Sequence, residues 1–448
     1  MNERARLGLL FDYDWDASAH ARHRHDFQFS RAGFDLFSFP SNARLIGFDL
    51  ERFAERQAQR ARREGWAGVL SHHEQFGALA AALVAERAGL PGAAPEAVAA
   101  CQHKLHARQL LQAVAPEACP AFAPLDAHYG GPIPSGLAYP RFVKPVKAAF
   151  SVLASRVDNE AQLHQFTRFG RRELWVIRRL VEPFERVARR RLPASAGTAH
   201  RMMLEEPIQA AQYNLDGWMF NGKMHVLGCV DAVMYPGTQA FMRFELPSRL
   251  PPAAAEAAAQ VAERFLNAAG YRHGFFNMEF FYDERSQRLS VIELNPRLAS
   301  QFGDLYRRVT GRDAHRMALD MARGLDPLHS PVEAPTAGAA ASFVYRAFSA
   351  AQILPPPSAA QQAALHREFP DALFYAMPKA GHGLQRDFKW LGSHRYGILH
   401  LGGRDAADLR QRCERASALL GWPAPYRLPA DAAEAASPNS LDLTELIT

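Results

Sequence analysis

Short apolar runs alternate with longer amphipathic stretches near the start of the chain. The apolar runs predict buried strands, and the amphipathic stretches predict helices because their apolar positions recur at helical spacing. A glycine follows each amphipathic stretch, which is a common way for a helix to end. Strands and helices in alternation are typical of a doubly wound α/β domain with parallel strands. The predicted strands are 7–11, 35–39 and 66–70, and the predicted helices are 49–64 and 77–88.

Strand-like patterns dominate the middle of the chain. The strands predicted there are 141–145, 174–181, 202–208, 218–233, 274–282 and 289–295. The segment 331–338 is rich in Pro, Ala and Thr and is typical of a linker. Beyond it, a strand over 396–401 and a helix that ends at Leu420 predict a further α+β region.

These patterns divide the 448 residues into three folded regions and a tail, since a chain of this length exceeds one hydrophobic core. We predict an N-terminal α/β domain over 1–95, a larger α+β domain over 96–330 and a C-terminal α+β region over 340–430. The stretch 431–448 is rich in Ala, Ser and acids, and we expect a flexible tail there. The expected fold class therefore combines α/β and α+β parts.

Composition and charge exclude several classes of protein. Hydrophobic residues make up 48% and charged residues 22% of the chain, as in ordinary globular proteins. The net charge of +6 is small for this length and its arginines are dispersed, which argues against a nucleic-acid partner. Neither a membrane span nor a signal peptide is visible, so we expect a cytoplasmic protein without a membrane partner. The four cysteines are far apart and form no CxxC pair, which argues against a zinc knuckle or a disulfide framework.

Two β-rich runs around Ser286 predict a hairpin with acidic side chains. If the turn is centred at Ser286, Glu279 and Glu293 lie equally far along the two strands and face each other. Side chains on a strand return to the same face at every second residue, which puts Asn295 and Arg297 on the face of Glu293.

Two carboxylates directly opposed across a hairpin repel each other unless a cation lies between them. A site built from oxygen atoms suits Mg²⁺, and Asn295 adds a neutral oxygen. Arg297 places positive charge where a transferring phosphoryl group needs it. The alternative is a solvent-facing hairpin with unrelated acids, but the Asn-Pro-Arg sequence after Glu293 favours a metal site. We therefore predict Glu279, Glu293 and Asn295 as ligands of Mg²⁺, or of Mn²⁺ in its place.

The runs FNMEF and VIELNPR resemble the closing signature of the ATP-grasp superfamily, in which a strand Glu precedes a strand that ends Glu-x-Asn-Pro-Arg. The resemblance extends over roughly 99–324, with flanking domains in the order that this superfamily has. It implies a Rossmann-like pre-ATP-grasp domain followed by a two-subdomain ATP-grasp fold with ATP between its sheets. The mobile lid subdomain is then expected at about 140–205.

Further segments match the positions that hold phosphates in this superfamily. CQHKLHARQLL supplies Lys104 and RFVKPV supplies Lys144, and the resemblance implies that both bind the nucleotide. A helix-surface lysine and an edge strand ended by proline are the alternative interpretations. The following loop, KAAFSVLAS, places Ser151 at the loop serine of the superfamily but lacks its glycines. Either Lys147 compensates for the missing glycines, or the loop closes only with substrate.

The segment LEEPIQAAQYNLDG resembles the part of the superfamily that binds adenine and ribose. The resemblance implies that Glu205 hydrogen-bonds the nucleoside, with Glu206 adjacent, and that Ile208 packs against the base. Gln212 stands where the superfamily usually carries a second acid that holds the ribose, so a hydrogen-bonding carbonyl is kept and the charge is lost.

Two groups of histidines are further candidates for chemistry. His20, His23 and His25 form a tract, but the arginines between them oppose a bound cation, so we predict no metal site there. Residues 72–74, His-His-Glu, follow the third predicted strand, where a loop can line a substrate cleft. An ordinary surface loop is the alternative.

The resemblance implies a carbon–nitrogen ligase that uses ATP. It would activate a small carboxylate as an acyl phosphate and couple it to an amine, with an amino-acid or peptide-like product, ADP and phosphate. Glu293, Asn295 and Arg297 are the expected catalytic residues, and the layout is most similar to ligases that join amino acids into dipeptides. Two alternatives are open: a bicarbonate-activating carboxylase related to biotin carboxylase, and a nucleotide-binding protein without turnover. The superfamily is also consistent with a homodimer.

Overall fold

The structure is a computed structural model that describes residues 4–35, 44–45, 47–128, 131–148 and 153–426. The chain forms two compact units. Unit 1 consists of Met1–Cys229, Leu250–Ser300 and Asp313–Pro331. Unit 2 consists of Val230–Arg249, Gln301–Arg312 and Val332–Thr448.

Unit 1 begins with a three-stranded parallel sheet in the order β2-β1-β3. Its strands are β1 Ala5–Leu10, β2 Phe27–Ala32 and β3 Gly68–Leu70. The parallel arrangement and the first and third predicted strands are confirmed. The second predicted strand, 35–39, lies outside the described residues except for Asp35, which belongs to no strand, and the second strand of this sheet is β2, which was not predicted. β2 is an edge strand with few buried positions, so its sequence FQFSRA has a weak apolar signal.

The described residues up to Val114 also form five helices. They are α1 Asp14–Ala21, α2 Leu50–Glu64, α3 Gly77–Ala88, α4 Pro95–Gln102 and α5 Lys104–Val114. The start of α2 is stabilised by Asp49, whose side chain accepts a hydrogen bond from the Arg52 amide at 2.8 Å. The ends of α2 and α3 are left-handed residues, Gly65 at φ 64° and Gly89 at φ 69°. Both predicted helices are confirmed.

A four-stranded antiparallel sheet follows in unit 1, in the order β4-β7-β5-β6. Its strands are β4 Phe122–His128, β5 Arg141–Pro145, β6 Ser155–Val157 and β7 Arg201–Glu205. Two helices lie between β6 and β7 in the chain, α6 Glu160–Thr167 and α7 Arg171–Arg191.

The predicted strand 174–181 is wrong, because this segment belongs to helix α7. The buried side chains Ile177, Val181, Phe184 and Ala188 recur at intervals of three or four residues, which is the spacing of one helix face. Pro183 lies inside the helix and obscures this pattern in the sequence.

The remaining strands of unit 1 follow the order β12-β11-β8-β9. The strands are β8 Ala211–Phe220, β9 Lys223–Met234, β11 Gly274–Asp283 and β12 Arg288–Asn295, with helices α8 Pro252–Ala268 and α10 Ala314–Ala322 in the same unit. The predicted strand 218–233 is in fact parts of β8 and β9, joined at Asn221-Gly222 where both residues have positive φ. The chain passes into unit 2 at Val230, within β9.

Unit 2 contains the end of β9 and further strands in the order β9-β10-β13-β15-β14. Its elements are β10 Phe241–Leu246, α9 Gly303–Thr310, β13 Ala339–Ala347, α11 Ala359–Glu368, β14 Leu373–Ala376, α12 Gly381–Leu391, β15 His394–Gly403 and α13 Ala406–Leu420. The C-terminal strand and helix predicted from the sequence are confirmed. In the described part of the chain, no helix combines the length and the apolar character that crossing a bilayer requires.

Candidate active site

The hairpin of β11 and β12 pairs Glu279 with Glu293, as predicted, but the register reaches that pair in an unexpected way. Next to the turn, Asp283 pairs with Arg288, so the turn is not centred on Ser286. A β-bulge at Ile292 inserts one extra residue and restores the register. Without this bulge Glu279 would lie opposite Ile292, and the two carboxylates would not face each other.

The bulge at Ile292 also exposes its backbone carbonyl to two cationic side chains. The carbonyl oxygen accepts a hydrogen bond from Arg108 Nη2 at 2.7 Å and one from Lys144 Nζ at 3.4 Å. The same two side chains hold Glu205, with Arg108 Nε at 2.6 Å and Lys144 Nζ at 2.8 Å from its carboxylate oxygens. Helix α5 and strands β5, β7 and β12 thus meet at one buried ionic network.

Burial and charge shift the pKa values in this network in opposite directions. Burial alone would raise the pKa of Glu205, but Arg108 and Lys144 outweigh it and hold this pKa at about 2. Burial lowers the pKa of Lys144 to about 8, although Glu205 acts against that change. Lys144 therefore gives up its proton more easily than an exposed lysine.

The carboxylate pair has unequal partners. Glu279 accepts hydrogen bonds from two neutral amides, Gln212 Nε2 at 3.1 Å and Asn295 Nδ2 at 3.2 Å. Glu293 instead forms an ion pair with Lys104. Burial raises the pKa of Glu279, and the neighbouring negative charge of Glu293 raises it further. Burial would also raise the pKa of Glu293, but Lys104 reverses the direction and lowers it.

This imbalance bears on the predicted metal site. Glu279 is a half-buried carboxyl group that lacks a cationic partner of its own among the contacts of the described residues, and a second carboxylate faces it. A cation between the pair would favour the ionised form of Glu279. The donor atoms are oxygens, which fits Mg²⁺ or Mn²⁺ better than a softer metal.

Arg297 lies beyond the end of β12 and contacts the loop that follows β3. Its Nη2 atom is 2.8 Å from a carboxylate oxygen of Glu74. Lys147 Nζ donates to the backbone oxygen of Glu74 at 3.4 Å and lies 4.8 Å from the ring centre of Phe184. Burial lowers the pKa of Lys147 to about 7. Residues 72–74 are buried, so the surface-loop interpretation of this segment is wrong.

The other described residues predicted to bind the nucleotide lie outside the ionic network of Glu205, Arg108 and Lys144. Glu206 is half-buried and forms an ion pair with Arg288, and Ile208 is half-buried beyond the end of β7. Ser151 lies outside the described residues. The nucleotide roles of these residues and of Gln212 stay predictions.

Several residues at the site were not predicted. Arg108 stands four residues after Lys104 on the same helix, and this spacing was the available signal for it. Asn277 donates to Asn214 at 3.2 Å and to Asp216 at 3.0 Å, and it accepts from Asn295 at 3.3 Å. This polar network holds the Asn295 amide beside Glu279.

A comparison with protein families decides the nature of the fold. Residues 137–304 match the family model for the ATP-grasp domain, and this span contains the hairpin with its two glutamates. The chain contains an ATP-grasp domain. The predicted fold class, with its α/β start and ATP-grasp core, is confirmed.

A curated relative extends the comparison. Carnosine synthase 1 of Gallus gallus is 28% identical over 269 residues, which cover 57% of this chain and 27% of that protein. This chain thus spans little more than a quarter of the length of that curated relative.

Solved structures resemble the whole chain at low identity. The L-amino acid ligase from Bacillus licheniformis has a TM-score of 0.66 at 15% identity, covering 92% of this chain and 98% of its own. The N5-carboxyaminoimidazole ribonucleotide synthetase from Thermus thermophilus has a TM-score of 0.61 at 18% identity, covering 94% and 99%. Identities this low establish a shared fold around the ATP-grasp domain.

Proposed function

We propose that this protein is an ATP-dependent carboxylate–amine ligase that forms an acyl phosphate and transfers the acyl group to an amine. The observation that carries the proposal is the half-buried pair Glu279–Glu293, in which one carboxylate has a lysine partner and the other has only neutral amides. Such a pair is unfavourable unless it binds a cation, and a nucleotide–Mg²⁺ complex supplies one.

Each side chain of the site has a part in this proposal. Glu279, Glu293 and Asn295 would hold the metal ion, with the amide of Asn295 turned so that its oxygen faces the ion. A bound Mg²⁺ supplies positive charge beside the transferring phosphoryl group. Lys104 and Lys144 would contact the phosphates, where a compact ammonium group suits a phosphate oxygen.

The reaction would proceed in two displacements. A carboxylate oxygen of the substrate attacks the γ-phosphorus of ATP, the bond from that phosphorus to the ADP oxygen breaks, and an acyl phosphate forms. The amine nitrogen then attacks the acyl carbon, phosphate leaves with the electrons of the broken C–O bond, and the amine loses a proton. Arg297 would stabilise negative charge on the transferring phosphoryl group and on the tetrahedral intermediate, because its guanidinium is permanently charged.

The identities of the relatives favour an amino acid or a related amine as the acceptor. The solved structure with a TM-score of 0.66 is an L-amino acid ligase, and the curated relative is a carnosine synthase. The first name specifies a ligase of amino acids and the second a synthase. We therefore propose amino acids and small amino-acid-like acids as the substrate class.

A phosphate-release screen tests the proposal. The full chain is incubated with ATP and Mg²⁺ together with pairs drawn from amino acids and small carboxylic acids, and ADP and phosphate are measured. We expect release that depends on both an acid and an amine, with the coupled product detected by mass spectrometry. Release with bicarbonate alone would indicate a carboxylase, and nucleotide binding without release over the whole screen would indicate a protein without turnover.

A matched pair of variants tests whether the release of ADP and phosphate depends on the pair Glu279–Glu293. Glu293→Gln removes one charge of the carboxylate pair, and we expect ADP formation to fall by about 100-fold or more. Glu284→Gln makes the same chemical change at an exposed position in the turn of the same hairpin, and it should keep the wild-type rate. Equal rates in the two variants would show that the pair does not act in the reaction.

A further inference from the structure

Unit 1 holds a second cluster of potential metal ligands, of different chemistry from the glutamate pair. Asp16, His72 and His315 each offer one ligand atom, and these atoms all lie within 4.8 Å of one another. His315 Nε2 is 3.2 Å from Asp16 Oδ1. Ligands of one tetrahedral zinc ion at about 2.1 Å are separated by about 3.4 Å, so this distance already suits a shared ion.

A fourth side chain, His20, lies against this cluster. Its ring centre is 5.9 Å from that of His72 and 5.8 Å from that of His315, and the last two rings are 5.6 Å apart. Three imidazoles thus surround one aspartate. All four side chains are at least nine-tenths buried, with Asp16 and His20 fully buried.

Unpartnered nitrogen atoms point to a missing ligand. His72 Nε2 and both ring nitrogens of His20 are buried and have no hydrogen-bond partner among the described residues, with His20 Nδ1 at 3.8 Å from Asp12 Oδ2. An Asp16–His315 hydrogen bond, the ordinary explanation of such a pair, leaves all of these atoms unsatisfied. Buried polar atoms without partners are rare in folded proteins, and an ion or an ordered water is a usual explanation.

The charges near the cluster do not oppose a cation. Asp313 pairs with Arg22 at 3.1 Å and with His23 at 3.2 Å, and Glu74 pairs with Arg297 at 2.8 Å. The arginines closest in sequence and in space are therefore neutralised by other acids.

The three histidines of the N-terminal tract, which are close together in the sequence, have different surroundings in the structure. His23 pairs with Asp313 and His25 is exposed, whereas His20 is buried against His72 and His315. The arginines within the tract argued against a metal site, but helix α1 ends at Ala21, so His20 lies on the helix whereas His23 and His25 lie in the turn that follows it.

We infer that Asp16, His72 and His315, beside the ring of His20, bind a divalent transition-metal ion, and that zinc suits the site. Imidazole nitrogens with one carboxylate oxygen are a common zinc ligand set, whereas Mg²⁺ prefers oxygen alone. The burial of all three ligand side chains suits a single ion. The ion joins α1, the loop after β3 and α10, which are distant in the chain, so it stabilises unit 1 in the manner of a structural zinc site.

The site also bears on the loop that contacts Arg297. His72 is two residues before Glu74, whose carboxylate pairs with Arg297. An ion on His72 therefore fixes one end of the segment that orients Arg297. This consequence is independent of the substrate and of turnover, so the zinc site can be tested without an activity assay.

Metal analysis of the full chain tests the inference. The protein is stripped with a chelator, reconstituted with zinc in the presence of excess Mg²⁺, passed through a desalting column and analysed by mass spectrometry for metals. We expect about one zinc ion per chain and a higher thermal midpoint than in the stripped protein, since a ligand that binds only the folded state stabilises it. Less than about a tenth of an ion per chain, with no change in the midpoint, would overturn the inference.

Variants distinguish this site from adventitious zinc on the protein surface. His72→Gln and His315→Gln should each lower zinc affinity by more than about 100-fold, since even the loss of an outer hydrogen-bond partner of a ligand costs about 10- to 100-fold. His25→Gln removes an exposed histidine of the N-terminal tract and should retain the ion. Unchanged zinc content in both ligand variants would mean an adventitious ion only.

Cobalt substitution of the wild-type chain supplies a readout that does not depend on the folding of the variants. Co²⁺ in a low-coordinate site with nitrogen and oxygen ligands absorbs visible light strongly, whereas hydrated Co²⁺ absorbs weakly. We expect the strong absorption to reach its maximum at one equivalent and to disappear when zinc is added. A spectrum of hydrated Co²⁺ only would contradict the site.

Discussion

Lys144 Nζ lies 2.8 Å from a carboxylate oxygen of Glu205, and both side chains are buried. The resemblance to the ATP-grasp superfamily assigns Lys144 to phosphates and Glu205 to the nucleoside. In the structure the two form one network with Arg108, which also bonds to the bulge carbonyl of Ile292. Glu205 is thus a structural partner of the proposed phosphate lysine, whatever else it contacts.

The first prediction concerns Glu205→Gln. This change leaves Arg108 and Lys144 buried with less compensating charge, and we expect a loss of about 3–5 kcal/mol in the free energy of unfolding. Glu206→Gln makes the same change at the next residue, where the ion pair with Arg288 is partly exposed. It should cost less than about 1 kcal/mol. Urea denaturation followed by circular dichroism measures both, and equal losses would contradict the network.

The same network predicts how the free energy of unfolding changes as the pH falls. The pKa of Glu205 falls from 4.5 to about 2 on folding, so its contribution is fully present above about pH 4.5 and is lost as the pH falls to about 2. We expect the difference in unfolding free energy between wild type and Glu205→Gln to shrink over this range. A difference that stays constant from pH 6 to pH 2 would mean that Glu205 is not held in its charged form.

The second prediction concerns proton uptake when ATP binds. Burial lowers the pKa of Lys147 to about 7 and that of Lys144 to about 8, so at pH 8 both are partly neutral. Nearby phosphates favour the charged form and raise both pKa values, so binding takes up protons and affinity falls as the pH rises through this range. Calorimetry in buffers of different ionisation enthalpy measures the uptake.

Lys147→Met is the variant for this measurement, since it removes one titrating group and keeps a long side chain. It should reduce the proton uptake, whereas Lys389→Met, a change of the same kind in helix α12 of unit 2, should leave it unchanged. Binding without proton exchange in the wild type would show that these lysines do not face the phosphates.

The third prediction separates the chemical role of Arg297 from binding. Arg297→Lys keeps the charge but loses the planar fork that contacts Glu74 and, in the proposed reaction, the transferring group. We expect kcat to fall by about 100- to 1000-fold with little change in the affinity for ATP. Arg288→Lys, at an exposed position of the same hairpin, serves as the control. A rise in KM for ATP with unchanged kcat would assign Arg297 to nucleotide binding instead.

The fourth prediction concerns the close contact between β3 and α10. A Cβ atom at Gly68 would lie 2.1 Å from the backbone oxygen of Ala322, so Gly68→Ala must push the strand away from the helix. We expect a loss of about 1–3 kcal/mol or more in unfolding free energy. Gly383→Ala, where a Cβ meets nothing within 4 Å, should be neutral or slightly stabilising. Thermal unfolding compares the two, and equal stability would contradict the packing.

Local features of the fold were predictable because their signals lie close together in the chain. Helix α2 has its cap Asp49 and its terminal Gly65 within one segment, and the hairpin carries both of its glutamates within a few residues of the turn. The ATP-grasp resemblance rests on the same short range, since VIELNPR is one strand and its end. Where a signal was ambiguous, as around Pro183 in α7, the local pattern misled.

Tertiary structure alone decided how these pieces meet. The bulge at Ile292 brings Glu279 opposite Glu293, and no residue type in the sequence predicts a bulge at that position. Glu74 and Arg297 are 223 residues apart, and Asp16 and His315 are 299 residues apart, so only the packed fold brings either pair within reach of an ion pair or an ion. Sequence periodicity reports which face of an element is buried, but it carries no information about which distant side chain is buried beside it.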